Sequence, residues 1–431
     1  MKKAIIILCV LLPLAAASAA TGYTARSMGL AGAYQGFSNG AEVSLFNPAN
    51  LALPGGPGLS FDFLSLGASF GNNGFSVALY NDYFSQSYFD ANEAWDEAAK
   101  AAIIGEVPAD GLRVFSRMHF TVLAGSYQNY AVAVNSFVYA DFKVPQALIE
   151  VPLQGIGTDP VDLTDIEGEY IAGTEIAASY GREIPVDWSW AERFTVGGTF
   201  KFLMGHAYGV LEEAGGVALS SSDSIGVEGS YIARVVAPFD DKGSAGYGMG
   251  INLGAAAIIN DQWSVGLSLH NILGSIKFSD YYEYVGEYSF HDPGLDQDEF
   301  DNFEEYLDST STDEYAVNKS ISYTLPKSFV LSGLYKLNPK ITIAADYQQG
   351  LNKTAGNSTT PRLAVGTELR YVGWMPIRFG LGVGGIQKLT LAFGLGLDFG
   401  VYKFDFGIAG QRGLFNYSKG VNFALSQRLY F

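Results

Sequence analysis

Through the C-terminal third of the chain, apolar residues fall at every second position in segment after segment. Between Lys388 and Gly400, the residues Leu389, Leu391, Phe393, Leu395, Leu397 and Phe399 alternate with Lys388, Thr390, Ala392, Gly394, Gly396 and Asp398. Successive side chains of a strand point to opposite faces, so one face of this segment is greasy and the other small or polar. The next segment repeats the pattern, with Tyr402, Phe404, Phe406 and Ile408 against Lys403, Asp405, Gly407 and Ala409. Leu363, Val365, Leu369 and Tyr371 likewise oppose Arg362, Glu368 and Arg370, and Ile377, Phe379, Leu381 and Val383 oppose Arg378 and three glycines. Comparable stretches lie near 58–70, 75–81, 114–127, 130–142, 168–181, 193–205, 225–236, 247–259, 262–272, 320–337 and 341–349. The spacing predicts an all-β fold of about 14 antiparallel strands.

A soluble sandwich also alternates, and what separates the two is the chemistry of the non-apolar face. Here that face is mostly Gly, Ala and Ser with a few charges of both signs, which suits an enclosed lumen, leaving Leu and Phe to face lipid. The reading is therefore a transmembrane antiparallel β-barrel. No stretch after residue 20 approaches the roughly 20 apolar residues that a spanning helix requires. The abundance of Gly, Tyr and Phe (52, 26 and 29) is instead that of many strands with aromatic belts. Arg362, Glu368, Arg370, Arg378, Lys388, Asp398, Lys403 and Asp405 share the polar face of neighbouring strands. Mixed signs on close strands predict cross-strand ion pairs bracing a filled lumen rather than a wide aqueous pore.

Residues 1–20 read as an export signal, with Lys2 and Lys3, an apolar run from Ile5 to Leu14 and a small-residue cleavage site at Ala17–Ala20. The single cysteine, Cys9, sits inside that run and follows Leu8, so it is not read as a lipid anchor. Removing the signal takes two lysines and no acid, and the formal charge moves from −18 to 24 − 44 = −20. That balance argues against nucleic acid as a partner. The expected location is the outer membrane, with outer-membrane lipid around the barrel. The last residues alternate Phe423, Leu425, Gln427, Leu429 and Phe431. They resemble the terminal signal by which the barrel-assembly machinery recognises outer-membrane barrels, with Gln427 an imperfect match.

Two insertions interrupt the alternation. Asp90 and Glu93 form a capping-box pattern ahead of a helix closing at Gly105, and Asp296 and Glu299 do the same ahead of Phe300, Phe303 and Leu307. These predict loop helices near 90–105 and 296–309. The second insertion is strongly acidic, but Asp296–Asp301 lacks the turn glycine and closing glutamate of a calcium loop, and the run reads as a solvated face. The four histidines show no metal-ligand spacing, and no metal or cofactor is expected. Ser268 and His270 share one strand face, yet no third group orients the histidine and Asn271 falls on the opposite face, so the chain is not read as an enzyme.

Ahead of the first strand lies Ala25-Arg26-Ser27-Met28-Gly29-Leu30-Ala31-Gly32-Ala33-Tyr34, then Asn39-Gly40-Ala41-Glu42, then Leu45-Phe46-Asn47-Pro48-Ala49-Asn50-Leu51. Gly29, Ala31, Gly32 and Ala33 allow close approach to a wall, and Asn47 before Pro48 is restricted to extended or turn geometry. About 30 residues here resemble the FadL superfamily of hydrophobic-compound outer-membrane transporters, including its PorV-type relatives, whose mature chains open with a similar segment ending in Asn-Pro-Ala. Asn50 stands where relatives often have Gly. The resemblance implies a hatch over residues 21–58 inside a barrel of fourteen strands over 59–431, and places Gly29, Gly32, Asn47, Pro48 and Ala49 in that hatch. It also implies passive uptake of a hydrophobic or amphipathic small molecule, fatty-acid-like, through the plugged lumen. The alternative it implies is a PorV-type scaffold or secretion accessory that binds exported proteins, with the acidic insertions as docking sites.

Overall fold

The computed structural model describes residues 24–155, 159–220, 225–236, 246–292, 311–317 and 319–431. The expected export signal and the helix expected over 296–309 lie outside these residues, as does most of the acidic insertion.

The chain begins with a short helix α1 (Ala25–Gly29) and two 3-10 turns, Gly40–Leu45 and Pro48–Ala52. Strand β1 (Leu59–Asn72) follows, then α2 (Val77–Tyr83), α3 (Gln86–Ala91) and α4 (Glu97–Glu106). Next come β2 (Leu112–Tyr127), β3 (Tyr130–Val144), α5 (Ala147–Gln154), β4 (Val161–Asp162), β5 (Glu167–Ile184) and β6 (Arg193–Ser220). They are followed by β7 (Ile225–Val236), β8 (Gly246–Ile258), β9 (Trp263–Phe278), β10 (Tyr281–Asp292), β11 (Ser311–Val317) and β12 (Ile321–Thr324). The remaining strands are β13 (Ser328–Asn338), β14 (Ile341–Gly350), β15 (Arg362–Leu369), β16 (Ile377–Gly384), β17 (Thr390–Phe399), β18 (Tyr402–Gln411) and β19 (Gly420–Tyr430).

Fourteen of these strands form one closed antiparallel ring: β1, β2, β3, β5, β6, β8, β9 and β13 to β19, with β19 returning to β1 through pairs such as Ser60 with Tyr430. Phe431 finishes the seam, its amide donating to Leu59 O at 2.9 Å. A closed ring pairs every backbone group internally, which the hydrocarbon core demands. The 28-residue β6 outruns its neighbours: its first half pairs with β8, and its second half leaves the ring to pair with β7, which continues through β10 to β11.

One end of the ring has tight connections at 128–129, 339–340 and 400–401 and holds both ends of the barrel chain. The other end carries the long segments 73–111, 145–166 and 351–361. Short turns on the periplasmic side and long loops outside are the rule for such barrels. Around the short-turn end runs an aromatic girdle, with Trp188 stacked on Trp190, Trp263 on Tyr335 and Tyr130 beside Tyr180. Above it the wall exposes Val132, Ile176, Phe200, Leu267, Leu331, Leu363, Phe379 and Leu391. The same strands bury Asn135, Glu175, Ser268, Arg362, Arg378 and Ala392 toward the interior. The greasy face is thus outside, as the alternation requires of a membrane-spanning wall.

Several local expectations are corrected. The segment 75–81 is not a strand: Asn72 turns the chain by accepting from Gly74 N, and Ser76 caps α2 through Leu79 N at 3.1 Å. The helix near 90–105 begins later than its capping pattern, because Asp96 caps α4 through Ala99 N at 2.8 Å while Asp90 ends up inside α3. Trp95 interrupts the two by packing on Phe84 and Phe89 and donating to Tyr83 O. Lys388 is exposed at φ +55° in the turn before β17, so it is not a lumen charge.

Candidate functional site

Residues 24–52 lie inside the ring and are almost wholly buried. Small residues on the inner wall make room for them. A Cβ on Gly394 would come within 2.9 Å of Gly29 Cα, one on Gly366 within 2.7 Å of Leu30 Cβ, and one on Gly407 within 2.8 Å of Met28 Cβ. Across the barrel, a Cβ on Gly181 would sit 2.7 Å from Pro48 O. The glycine-rich polar face read from the sequence is therefore a seat shaped for the hatch. Gly29 touches this wall. Gly32 instead takes a left-handed φ of +88° and returns its amide to Ser27 O, turning the chain out of α1.

Asn47 anchors the far side of the hatch. Its Oδ1 accepts from Ala49 N at 3.1 Å, capping the Pro48–Ala52 turn, while Nδ2 donates to Ala255 O on β8 at 3.1 Å. Pro48 fits the first turn because its missing N–H is not needed there. Asn50 donates to Gln35 O, Ser38 O and Ser38 Oγ, so its amide ties the two halves of the hatch together. The opposite half is held from the wall. Asp346 accepts from the amides of Tyr34 and Gln35 at 2.9 Å each, and Arg362 donates to Ala31 O at 2.9 Å. Arg362 thus serves the hatch backbone rather than a carboxylate neighbour.

The remaining lumen charges converge. Glu368 pairs with Arg378 Nε at 2.7 Å, directly across the β15–β16 ladder, and Arg378 reaches Asp405 at 2.6 Å. Asp405 also pairs with Arg428, and Arg428 lies 3.4 Å from Glu42. Glu42 in turn faces Arg26 at 3.4 Å and accepts from the Tyr34 hydroxyl, while Arg26 lies 3.8 Å from Glu368. Three arginines and three carboxylates so close a loop through four strands and the hatch. Burial raises the Tyr34 pKa, Arg26 lowers it and Glu42 raises it, and the net upward shift keeps the hydroxyl a donor. Arg370 joins the loop from its edge, partly exposed and 2.7 Å from Glu368, whereas the Asp398–Lys403 pair sits apart near the short-turn rim. Sequence reading missed Arg26, Glu42 and Arg428 as members. The available signal was that Arg26 and Glu42 are the two charged residues in 21–58.

Toward the long-loop end the lumen changes character. Phe137, Tyr139, Ile171, Leu203, Tyr208, Ile276, Phe278 and Tyr323 form a buried cluster, with Tyr208 stacked on Phe278 at 5.8 Å. Between this cluster and the hatch lies a polar cavity of about 40 Å3 lined by Gln35, His119, Glu175, Lys201 and His270. Ser268 Oγ and His270 Nε2 are 2.9 Å apart, and their third neighbour is the Gln35 side chain. Asn271 is not on the outer face: a φ of +53° turns its side chain inward, where it accepts from Lys201 at 3.1 Å. His206 bonds Thr174 at 2.8 Å. No group of three or more metal-ligating side chains occurs among the described residues.

A fourteen-strand ring whose lumen is filled by an N-terminal hatch defines the class: a plugged antiparallel β-barrel with a lipid-facing outer wall. A family described as of unknown function (DUF5723) matches residues 48–409, and the chain belongs to it. No curated protein matches by sequence. Among solved structures, the Pseudomonas putida toluene transporter TodX is similar with a TM-score of 0.53 at 12% identity, covering 95% of this chain and 99% of that one. The Ralstonia pickettii toluene transporter TbuX gives 0.50 at 13% identity with 95% and 99% coverage. A Pseudomonas aeruginosa FadL homologue gives 0.50 at 13% with 96% and 100%. At such identities the likeness is one of fold.

Proposed function

We propose that the protein is an outer-membrane channel for passive uptake of hydrophobic or amphipathic small molecules, exported by cleavage of residues 1–20. The observation that carries this reading is the aromatic and aliphatic cluster that fills the outer half of the lumen, between the long loops and the hatch. A water-filled pore gains nothing from such a cluster, whereas a hydrophobic solute leaving water gains about 25 cal/mol per Å2 of apolar surface it buries there. The solute would exchange contacts with Phe137, Tyr208 and Phe278, and leave past the hatch once its wall bonds at Ala31, Tyr34 and Asn47 yield. No covalent step is involved. The toluene transporters of the same fold support the solute class, and the fatty-acid-like alternative within it is decided by experiment.

The test is uptake of a radiolabelled long-chain fatty acid and of toluene by a deletion strain and by the complemented strain, with binding of both to the purified barrel. Reduced uptake restored by complementation is expected for at least one solute. Unchanged uptake of both, with no binding, overturns the proposal. A stable exported protein retained on the detergent-purified barrel in place of a small ligand would point instead to a scaffold.

A further inference from the structure

On the outside of the barrel, near its long-loop end, lies an apolar groove of about 820 Å3. Small-molecule sites span roughly 300–1,000 Å3, so the groove is large enough to hold a chain-like ligand. Its floor is the outward face of β1 and β16–β19, including Phe70, Phe393, Ile408 and Val421. Its roof is α2 through Val77 and Tyr80, together with the turn at Leu414 and Phe415. The roof does not rest on the floor. It is held from behind, where Leu79 packs with Ile103 and Ile104 of α4, and a gap is left along the wall.

Three features say what fills that gap. Phe393, Ile408 and Val421 of the floor belong to the exposed band that faces hydrocarbon, so the groove is continuous with the surface lipid already covers. The Lys419–Glu106 ion pair at 2.8 Å closes the outer rim and marks where the apolar band gives way to water. Lys419 is already neutralised there, so what the groove itself offers is apolar contact rather than a free charge. Finally, Phe415 is held at φ +52° and is 83% exposed beside the groove. An aromatic residue in that region is strained, and such strain recurs at ligand clamps.

We propose that this groove is an acyl-chain site: one hydrocarbon tail of an outer-leaflet lipid lies between α2 and the wall of β1 and β16–β19. A tail elsewhere on the barrel meets protein on one side, while here it meets protein on two. Since lipid tails are as apolar as Leu, the preference comes from that added van der Waals contact rather than from the hydrophobic effect. The inference does not depend on what the lumen transports.

The full-length barrel is reconstituted in phosphatidylcholine vesicles containing a small fraction of phosphatidylcholine with a diazirine in mid-chain, irradiated and peptide-mapped. Adducts on Val77, Tyr80 and Phe415 are expected about tenfold above those on Val132 and Phe200, outward residues of similar or greater exposure than Val77 and Tyr80 on the far wall. Ile408→Trp fills the groove with an apolar side chain on a lipid-facing position, which leaves assembly intact. It is expected to lower the α2 adducts about tenfold without changing those on Val132. Even labelling around the barrel, or an Ile408→Trp barrel with undiminished α2 adducts, overturns the proposal. So does displacement of the α2 adducts by toluene but not by unlabelled phospholipid, or a dimer interface that covers the groove.

Discussion

The ion-pair loop makes Glu42 the point at which the hatch is most sensitive to a single atom. Glu42 Oε1 meets Arg26 Nη1 and Arg428 Nη1 at 3.4 Å each and accepts from Tyr34. Glu42→Gln keeps the shape and removes the charge, leaving three buried arginines facing two carboxylates, Glu368 and Asp405. Breaking a buried pair from one side costs about 3–5 kcal/mol because the surviving charge stays desolvated. At about 1.4 kcal/mol per tenfold, the fraction of molecules with the hatch unseated should rise by about two to nearly four powers of ten. Ser44→Cys reports it: Ser44 is fully buried in the hatch, and the one native cysteine, Cys9, lies ahead of it. Maleimide labelling of Ser44→Cys in reconstituted barrels should accelerate correspondingly with Glu42→Gln. Adding Arg428→Met restores charge balance and should return the rate to within about tenfold of the parent. A Glu42→Gln barrel that assembles and labels no faster than the parent refutes the reasoning. So does failure of Arg428→Met to compensate.

Gly394→Ala drives a methyl toward Gly29 Cα at 2.9 Å and should lower stability by about 1–3 kcal/mol, read as a reduced temperature of the shift between folded and unfolded bands on gels. Phe393→Arg puts a cation on the lipid face and should cost about 2–4 kcal/mol in urea unfolding from bilayers if that wall is bathed by hydrocarbon, and close to nothing if it faces water. Asn47→Ala removes both the cap of the Pro48–Ala52 turn and the bond to Ala255 O. A loss of about 1–2 kcal/mol is expected, with faster Ser44→Cys labelling and an unchanged ring.

The ring was legible because period two persists wherever a strand faces lipid on one side and a packed interior on the other, as in β15 to β19. Legibility failed where tertiary contacts override the period. Asn271 and Leu273 take left-handed φ values in β9 beside a register shift, so Asn271 faces inward against the alternation. The 75–81 stretch alternates well enough to pass for a strand, yet Ser76 and the Leu79 contacts make it a helix lying outside the wall. Of the ion-pair loop, Glu368, Arg378 and Asp405 were visible because they share a face on neighbouring strands. Arg26 and Glu42 were not, since the wall charges they meet, Glu368 and Arg428, stand hundreds of residues away.

The ring closes where β19 meets β1, and β19 also delivers Arg428 to Glu42 and Ser426 Oγ to the amide of Ala25 at 3.0 Å. The strand that seals the cylinder is thus the one that fastens the segment within it. Sealing and plugging are thereby coupled, because the eleven residues Gly420–Tyr430 that complete the ring are the same ones that fasten the start of α1.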